Sequence, residues 1–353
     1  MNQKTSKQNL DIAIVGAGIM GLSAAYALQK FGAHITLYDP KGFPAQNASF
    51  VAGGMLAPYA EIEHMNMRWV EAGLASIDIW KKILPTLPGD TDFAQNGSLL
   101  VAHPQDRYIL ERFAAHLPEN QRCYQNAKDL EPALDNRFSQ GLFLEGEAHI
   151  HPARTMQALI KALQNNIIFK QEAANPQDLL ASYDTVIDCR GMGTQNDDPD
   201  LRSVKGELAI VHNPEFSLSR PVRLMHPRYP LYIVPRQGNI FMIGATIIES
   251  EGEGVSLRSG MELMSALSSL HPSFADAKII EITSGVRPSY PDNLPRIRRH
   301  KNLISCNGLF RHGFLLSPIM AEIIGCEIEG KKHSKRDLFL PAPQDNNQKR
   351  SAA

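Results

Sequence analysis

A glycine-rich turn between a strand and a helix is the feature that most constrains the fold of this 353-residue chain. Residues 12–15 form a short apolar run, which is typical of a strand buried in a parallel sheet. The turn Gly16-Ala17-Gly18-Ile19-Met20-Gly21 follows at once, and helix-forming residues then continue to Gly32, a predicted left-handed helix stop. Residues 34–38 predict a second strand, and Asp39 stands at its end. This order of elements predicts a βαβ unit that binds a dinucleotide.

Each glycine of the turn has a separate physical role. Gly16 permits the tight turn, Gly18 lets the backbone approach a pyrophosphate, and Gly21 lets the helix pack closely on the strand. The N-terminus of the helix then offers N–H groups and a partial positive charge to the phosphates. Asp39 can accept hydrogen bonds from both ribose hydroxyls of an adenosine, and its charge would repel the 2′-phosphate of NADP. The motif alone does not choose between FAD and NAD.

Composition excludes several classes of function. The net charge is −1, with 43% hydrophobic and 21% charged residues, so the chain has no basic footprint for nucleic acid or for an anionic membrane. Its four cysteines have no metal-like spacing, which indicates small packed residues in a reducing compartment. Residues 1–9 lack an apolar signal core, and no run of about 18 apolar residues occurs. We therefore expect a cytoplasmic protein that binds no metal, nucleic acid or membrane.

The dinucleotide pattern recurs in three separated pieces, with strand-rich segments between them. Simple nicotinamide dehydrogenases usually complete this domain in one stretch, whereas here a strand and a helix near the C-terminus return to it. In that last helix Pro318 suits the first turn and Ser317 suits the cap. The predicted fold class is α/β, with a Rossmann-like domain of interleaved segments and an α+β domain of mixed β-sheet and helices. The predicted segments are 10–90, 147–206 and 285–343 for the first domain, 91–146 and 207–284 for the second, and 344–353 for a disordered tail.

Five further motifs occur in a specific order and spacing. They are residues 49–58 (SFVAGGMLAP), Tyr232-Ile233-Val234-Pro235-Arg236, Ile243-Gly244-Ala245-Thr246, Gly285-Val286-Arg287-Pro288 and Gly308-Leu309-Phe310-Arg311-His312-Gly313. Together with the glycine turn, they resemble the D-amino-acid-oxidase-like FAD oxidoreductases, and within them the glycine oxidases of thiamine biosynthesis. The resemblance covers about residues 11–330.

The resemblance implies a non-covalently bound FAD and the residues that hold it. Small residues at 53 and 54 would let the backbone approach the flat flavin ring system. Residues 308–316 lead into the last helix, and a helix N-terminus directed at the flavin pyrimidine ring would stabilise the negative charge that builds there on reduction. The implied cofactor-binding residues are Gly16, Gly18, Ile19, Met20, Gly21, Asp39, Pro40, Ser49, Gly53, Gly54, Met55, Leu309, Phe310, Arg311, His312, Gly313, Phe314 and Leu315.

Arg287 is the strongest candidate for binding the substrate. A guanidinium holds a carboxylate through two parallel charge-assisted hydrogen bonds, which fixes the orientation of an amino acid as well as its presence. The resemblance implies that Tyr232 adds a hydroxyl to the same carboxylate. Ile247 stands where a glycine oxidase has a methionine lining the substrate pocket. Arg311 is open to either role, contact with the flavin or contact with the substrate.

The implied activity is an FAD-dependent amine oxidase that deaminates glycine, or a similar small amine such as sarcosine. Hydride would pass from the α-carbon to flavin N5, and O₂ would then reoxidise the flavin and give H₂O₂. The imine would hydrolyse to glyoxylate or supply a thiazole-forming partner, and the flavin needs no protein acid or base for the transfer. Three alternatives stay open: a D-amino acid or sarcosine oxidase on the same fold, a non-catalytic flavin or nucleotide sensor, and an NAD dehydrogenase. The sequence also leaves open whether the chain forms a homo-oligomer.

Overall fold

The structure is a computed structural model that describes residues 10–63, 65–228, 230–252 and 254–341. The predicted disordered tail, residues 344–353, lies outside the described residues.

The strands and helices of the described residues are as follows. The strands are β1 (Asp11–Val15), β2 (His34–Tyr38), β3 (Met55–Leu56), β4 (Ser98–Val101), β5 (Cys123–Gln125), β6 (Gly141–Leu144), β7 (Ala148–His149), β8 (Ile168–Lys170), β9 (Thr185–Asp188), β10 (Arg202–His212), β11 (Val222–Leu224), β12 (Leu231–Arg236), β13 (Ile240–Gly244), β14 (Ile248–Glu249), β15 (Lys278–Ser289), β16 (Arg296–His300) and β17 (Leu303–Asn307). The α-helices are α1 (Ile19–Leu28), α2 (Met67–Ile83), α3 (Arg107–Ala115), α4 (Ala127–Leu130), α5 (Pro152–Leu163), α6 (Pro176–Leu179), α7 (Leu257–Leu270) and α8 (Gly313–Ile328).

A six-stranded sheet contains the predicted βαβ unit. Its order is β16-β17-β9-β1-β2-β8, and neighbouring strands are parallel except for the antiparallel pair β16 and β17. The adjacent strands β1, β9 and β17 come from widely separated parts of the chain. One apolar core joins this sheet to α1, α2, α5 and α8. The predicted α/β fold with interleaved segments is therefore confirmed.

A second, nine-stranded sheet has the order β14-β10-β13-β12-β11-β4-β6-β5, with β15 paired to β10. The antiparallel pairing of β10 and β15 extends from Arg202 opposite Ser289 to His212 opposite Lys278. These two strands run across the predicted domain boundaries at 206/207 and 284/285, and the boundaries stay predictions. The sequence analysis does not predict β15, because glycine and proline, here at 285 and 288, are uncommon inside strands.

The glycine turn has the predicted local geometry. Gly32 has a φ of +72° and follows a short 3₁₀ turn that extends α1 from Leu28 to Phe31. Gly16 has a φ of +105°, which side chains with a Cβ rarely adopt. A methyl group on Gly21 would lie 1.9 Å from the carbonyl oxygen of Gly16, so only glycine allows α1 to approach the turn this closely.

The last helix, α8, begins earlier than the sequence predicts. It starts at Gly313, so Ser317 is not its cap, and Pro318 lies inside the helix rather than in its first turn. Because proline has no N–H, Pro318 leaves the carbonyl of Phe314, four residues earlier, without its usual helix partner. The indole N–H of Trp80, which is buried in α2, donates to that carbonyl at 2.7 Å. A contact between two helices therefore allows the proline at this position.

Replacing Trp80 with Phe should lower the free energy of unfolding by about 1–3 kcal/mol, because the buried carbonyl of Phe314 loses its donor. Urea unfolding measures this loss. In a Pro318→Ala background residue 318 regains an N–H that can reach Phe314, so Trp80→Phe should cost less there. Equal losses in the two backgrounds would show that the indole does not compensate for the proline.

Candidate active site

One large cavity lies where the carboxyl ends of β1, β2, β9 and β17 meet the face of the second sheet. Its volume is about 1300 Å³, which exceeds the roughly 300–1,000 Å³ typical of sites for small ligands. Ligands of open α/β sheets bind at the carboxyl ends of the strands, so the six-stranded sheet places this cavity where a nucleotide is expected. Residues of β10, β12 and β15 close its other side.

The glycine turn and Asp39 form one end of the cavity. A methyl group on Gly16 would lie 2.5 Å from the carbonyl oxygen of Cys189, so β1 and β9 approach closely here. The buried carboxylate of Asp39 accepts hydrogen bonds at 2.8 Å from the backbone N–H of Ala17 and of Lys41. Each carboxylate oxygen has a second lone pair. Asp39 therefore braces the turn and can still accept a hydrogen bond from a ligand.

Ser49 occupies part of the helix N-terminus. Its hydroxyl accepts a hydrogen bond at 3.1 Å from the backbone N–H of Ile19, the first residue of α1. A methyl group on Gly18 would lie 3.3 Å from this hydroxyl. Met20 and Pro40 line the cavity beside these residues. The loop that contains Ser49 is thus fixed against the turn by the helix itself.

The middle of the cavity is lined by Gly53, Gly54 and Met55. Gly54 has a φ of +74°, and a methyl group on it would lie 2.0 Å from the carbonyl oxygen of Ile150. A methyl group on Gly53 would lie 2.7 Å from the terminal carbon of Met242. Gly54 has no room for a side chain, and a side chain at Gly53 would have to displace the end of Met242, so the backbone itself forms this wall.

The segment that leads into α8 forms the opposite wall. Leu309, Phe310, Arg311, His312, Gly313, Phe314 and Leu315 all line the cavity. The segment is anchored to the second sheet, because the N–H of Phe310 donates to the carbonyl of Pro288 at 2.9 Å. The N-terminus of α8, with its partial positive charge, lies at this wall.

Arg311 forms an ion pair with Glu61, and both residues line the cavity. Burial opposes ionisation of Glu61, but the charges of Arg311, His312 and Arg223 outweigh it and hold the pKa of Glu61 below its ordinary value. Glu61 is therefore an anion at neutral pH, and Arg311 of the protein itself neutralises its charge. Arg311 Nε is buried and has no hydrogen-bond partner among the described residues.

Arg287 lies on β15, and its guanidinium lies over the backbone of Gly206. A methyl group on Gly206 would lie 1.8 Å from Nη2 of Arg287. Its Nη1 donates to the carbonyl of Thr246 at 3.3 Å, and no carboxylate of the described residues pairs with this guanidinium. Burial lowers the pKa of Arg287 from its ordinary value, but an arginine remains charged at neutral pH. The cavity therefore contains a partly buried cation that no carboxylate of the described residues neutralises.

Tyr232 lies on β12 directly opposite Gly244 of β13. A methyl group on Gly244 would lie 2.5 Å from the Tyr232 hydroxyl oxygen, so the ring lies flat over this glycine. Burial raises the pKa of Tyr232, and its hydroxyl is thus a hydrogen-bond donor at neutral pH. Ile247 also lines the cavity, but 56% of it is exposed, so it belongs to the rim.

The structure brings all the predicted site residues to this cavity except Gly21, whose role is packing against Gly16. Three residues that shape the cavity were not predicted from the sequence: Glu61, Gly206 and Arg223. Gly206 had a signal, because an isolated glycine next to a strand pattern indicates a close approach. Glu61 and Arg223 had none, because an isolated charged residue in a sequence is most often at the surface.

The comparison with protein families decides the identity of the fold and its cofactor. The family described as FAD dependent oxidoreductase, DAO, matches residues 11–326. The chain belongs to this family of FAD-dependent oxidoreductases. The FAD cofactor and the oxidoreductase class predicted from the sequence are thereby confirmed.

Individual relatives agree with this assignment. The oxidoreductase is 41% identical over 313 residues to the Rhizobium etli protein ThiO, which is named as a thiamine biosynthesis oxidoreductase, and the match covers 88% of this chain and 94% of that protein. It is 26% identical to a glycine oxidase of Bacillus licheniformis over 92% of this chain and 94% of the relative. The crystal structure of glycine oxidase from Geobacillus kaustophilus has the same fold, with a TM-score of 0.81 at 22% identity over 95% and 99% of the two chains.

One relative is a longer protein. The bifunctional protein ThiO/ThiG of Trichormus variabilis is 26% identical over 351 residues, which cover 89% of this chain and 52% of that protein. The oxidoreductase thus matches about half of the length of this bifunctional relative.

The described residues form neither a membrane-spanning helix nor a cluster of metal ligands. None of their helices combines the length and the apolar character needed to cross a membrane. The same residues contain no group of three or more His, Cys, Asp or Glu side chains that could hold a metal ion.

Asp39→Ala should weaken FAD binding by about 1–3 kcal/mol through lost hydrogen bonds to the ribose, and Asp39→Asn, which keeps one oxygen acceptor, should weaken it less. The fluorescence of free flavin measures the dissociation constant. Because Asp39 also holds the N–H groups of Ala17 and Lys41, the unfolding midpoint of each apoprotein is the control. Lower stability with unchanged FAD affinity would make Asp39 a brace alone.

Gly206→Ala should displace the guanidinium of Arg287 and weaken carboxylate binding by about tenfold, the loss of one good charge-assisted contact. Titration of the FAD-loaded protein with acetate, followed by flavin absorbance, measures this. Gly260→Ala in α7 is the control, since no atom lies within 4 Å of the added carbon. Acetate affinity that is equal in Gly206→Ala and wild type would separate Arg287 from the carboxylate site.

Proposed function

We propose that this oxidoreductase oxidises the C–N bond of a small α-amino acid, with glycine as the leading substrate and O₂ as the electron acceptor. The observation behind this proposal is the Arg287 guanidinium, which faces the cavity without a carboxylate partner among the described residues. A buried unpaired cation costs free energy unless an anion neutralises it. An amino acid supplies that anion as its carboxylate.

The residues of the cavity fit FAD. The glycine turn and the N-terminus of α1 suit the pyrophosphate, Asp39 suits the adenosine ribose, and Gly53 and Gly54 leave room for a flat ring against the backbone. FAD, when bound, supplies the acceptor for the two electrons that leave the α-carbon. We expect it to be held without a covalent bond.

The role of the protein in this reaction is to bind and orient the amino acid. Arg287 would hold the carboxylate with two parallel hydrogen bonds, and the protonated hydroxyl of Tyr232 would donate a third. This fixes the position of the α-carbon, which is the main requirement when the cofactor performs the chemistry. The amino acid must lose a proton from its ammonium group before its α-carbon can give up a hydride.

The described carboxylate beside Tyr232 is not free to act as a base. Glu61 acts on the pKa of Tyr232, and it is paired with Arg311. A paired, ionised carboxylate with a lowered pKa is a weak proton acceptor. We therefore assign the Arg311–Glu61 pair to building the wall beside α8, where the helix N-terminus would stabilise negative charge on the cofactor.

The alternative substrates differ in the size of the group that the cavity must hold beside Arg287. The exposed position of Ile247 at the rim leaves space for D-amino acids or sarcosine, so these substrates are the closest rivals. A sensor without activity is disfavoured, because binding a nucleotide does not require a guanidinium directed at an amino acid. The ThiO/ThiG relative supports a thiazole-forming enzyme as the consumer of the imine. We also propose that the protein is cytoplasmic and that its turnover with O₂ releases H₂O₂.

Arg287→Ala should lower kcat/KM for glycine by the equivalent of about 3–5 kcal/mol of transition-state stabilisation, because a partly desolvated ion pair with the substrate is lost. Arg287→Lys should recover only part of this, because a point charge does not reproduce two parallel hydrogen bonds. Peroxide production at several glycine concentrations measures both variants.

Simple amines without a carboxylate are the control substrates. They should be poor substrates of the wild type and respond little to Arg287→Ala. FAD content and the unfolding midpoint should stay close to the wild-type values in both variants. Full activity of Arg287→Ala on glycine would place the carboxylate elsewhere, and loss of FAD or of folding would make Arg287 structural.

A further inference from the structure

Arg223 is a second guanidinium in the same cavity, and the sequence analysis did not single it out. It lies on β11, directly opposite Tyr232 of β12, and it lines the cavity together with Tyr232 and Arg287. Side chains directly opposite each other on neighbouring strands lie on the same face of a sheet, about 5 Å apart at Cβ. Arg223 therefore flanks Tyr232 on the side of β11.

The protein contacts of Arg223 satisfy only part of its guanidinium. Nη1 donates to the carbonyl of Ala60 at 2.9 Å, and the guanidinium carbon lies 6.0 Å from the centre of the Phe113 ring. Within residues 10–63, 65–228, 230–252 and 254–341, no carboxylate forms an ion pair with Arg223. A guanidinium has five N–H donors, so Arg223 has donors left for a ligand.

The charges around Tyr232 do not balance. Three cations, Arg287, Arg311 and Arg223, and one anion, Glu61, act on its hydroxyl. Glu61 pairs with Arg311, and the carboxylate of a bound amino acid would neutralise Arg287. Arg223 also acts on the charge of Glu61, but among the described residues it forms no ion pair of its own.

Glu147 is the other carboxylate near Arg223, and it lies behind the Ala60 turn rather than in the cavity. Its side chain accepts a hydrogen bond from the N–H of Ala60 at 2.8 Å and another from Ser98. Burial raises the pKa of Glu147 to about 7, so the group is only partly ionised at neutral pH. Glu147 therefore compensates the charge of Arg223 incompletely.

We propose that Arg223 forms a second anion-binding subsite beside Tyr232, so that the cavity takes amino acids with a second anionic group in addition to glycine. The α-carboxylate binds Arg287 and the second group binds Arg223, on the other side of the Tyr232 ring. The matching chemical class is a small amino acid with a second carboxylate, either on its nitrogen substituent or on a short side chain. This inference rests on the proposed function, because it uses Arg287 as the site of the first carboxylate.

Two unreactive ligands test the subsite directly. Diglycolate carries two carboxylates around an ether oxygen, and methoxyacetate has the same ether and only one carboxylate. Each is titrated into the FAD-loaded protein, and the change in flavin absorbance reports its dissociation constant. Wild-type protein should bind diglycolate at least about tenfold more tightly than methoxyacetate, as one added charge-assisted contact implies.

Arg223→Gln removes the charge but keeps an amide that can donate to Ala60. In this variant the preference for diglycolate should fall to about twofold or less, while methoxyacetate binds about as in the wild type. Arg223→Lys keeps a point charge and should keep an intermediate preference. Peroxide production from iminodiacetate, relative to glycine, should fall in the same order across the three proteins.

The outcomes separate this inference from the proposed function. If wild-type protein binds both ligands equally, or if Arg223→Gln keeps the full preference, the subsite is refuted while the assignment of Arg287 stands. If neither ligand perturbs the flavin of the wild type, both the subsite and the proposed amino-acid site fail. The comparison within the wild type needs no variant, so poor folding of Arg223→Gln would not leave the inference undecided.

Discussion

The antiparallel pairing of β10 with β15 is the interaction on which the cavity depends. It places Gly206 beneath the guanidinium of Arg287 and so fixes where this guanidinium lies in the cavity. It also anchors two other walls, because Gly285 packs against Val51 of the loop after β2, and the carbonyl of Pro288 accepts a hydrogen bond from the N–H of Phe310. One long strand thus connects the nucleotide end, the substrate end and the segment that enters α8.

Glycine makes these approaches possible at each contact. At Gly16, Gly53, Gly206 and Gly244 an added methyl group would lie within 3.0 Å of a neighbouring atom. Glycine loses more conformational entropy on folding than a residue with a side chain does. The missing side chain, however, lets the backbone form the walls of the cavity and lets Arg287 and Tyr232 lie directly over the backbone of a glycine. The site that results contains guanidinium groups whose positions are fixed by contacts with the protein backbone.

Local signals predicted the parts of the fold that depend on neighbouring residues. The turn at Gly16 and the stop at Gly32 follow from backbone conformations that glycine allows, and both were confirmed. The start of α8 was predicted wrongly, because Pro318 is normally a sign of a first turn, and the donor that makes it acceptable, Trp80, belongs to another helix. Strand β15 was not predicted, because its pairing with β10 outweighs the low strand preference of its glycine and proline.

The same division applies to the cavity. The amino-acid sequence by itself determined the dinucleotide fold, the FAD-dependent class and the residues that could face a ligand, since these are properties of motifs in which neighbouring residues act together. Only the tertiary structure decided that Glu61 neutralises Arg311 and that Arg223 lies beside Tyr232. The physical reason is that charge balance and close packing depend on which distant segments meet, and a single sequence contains no local record of those distances.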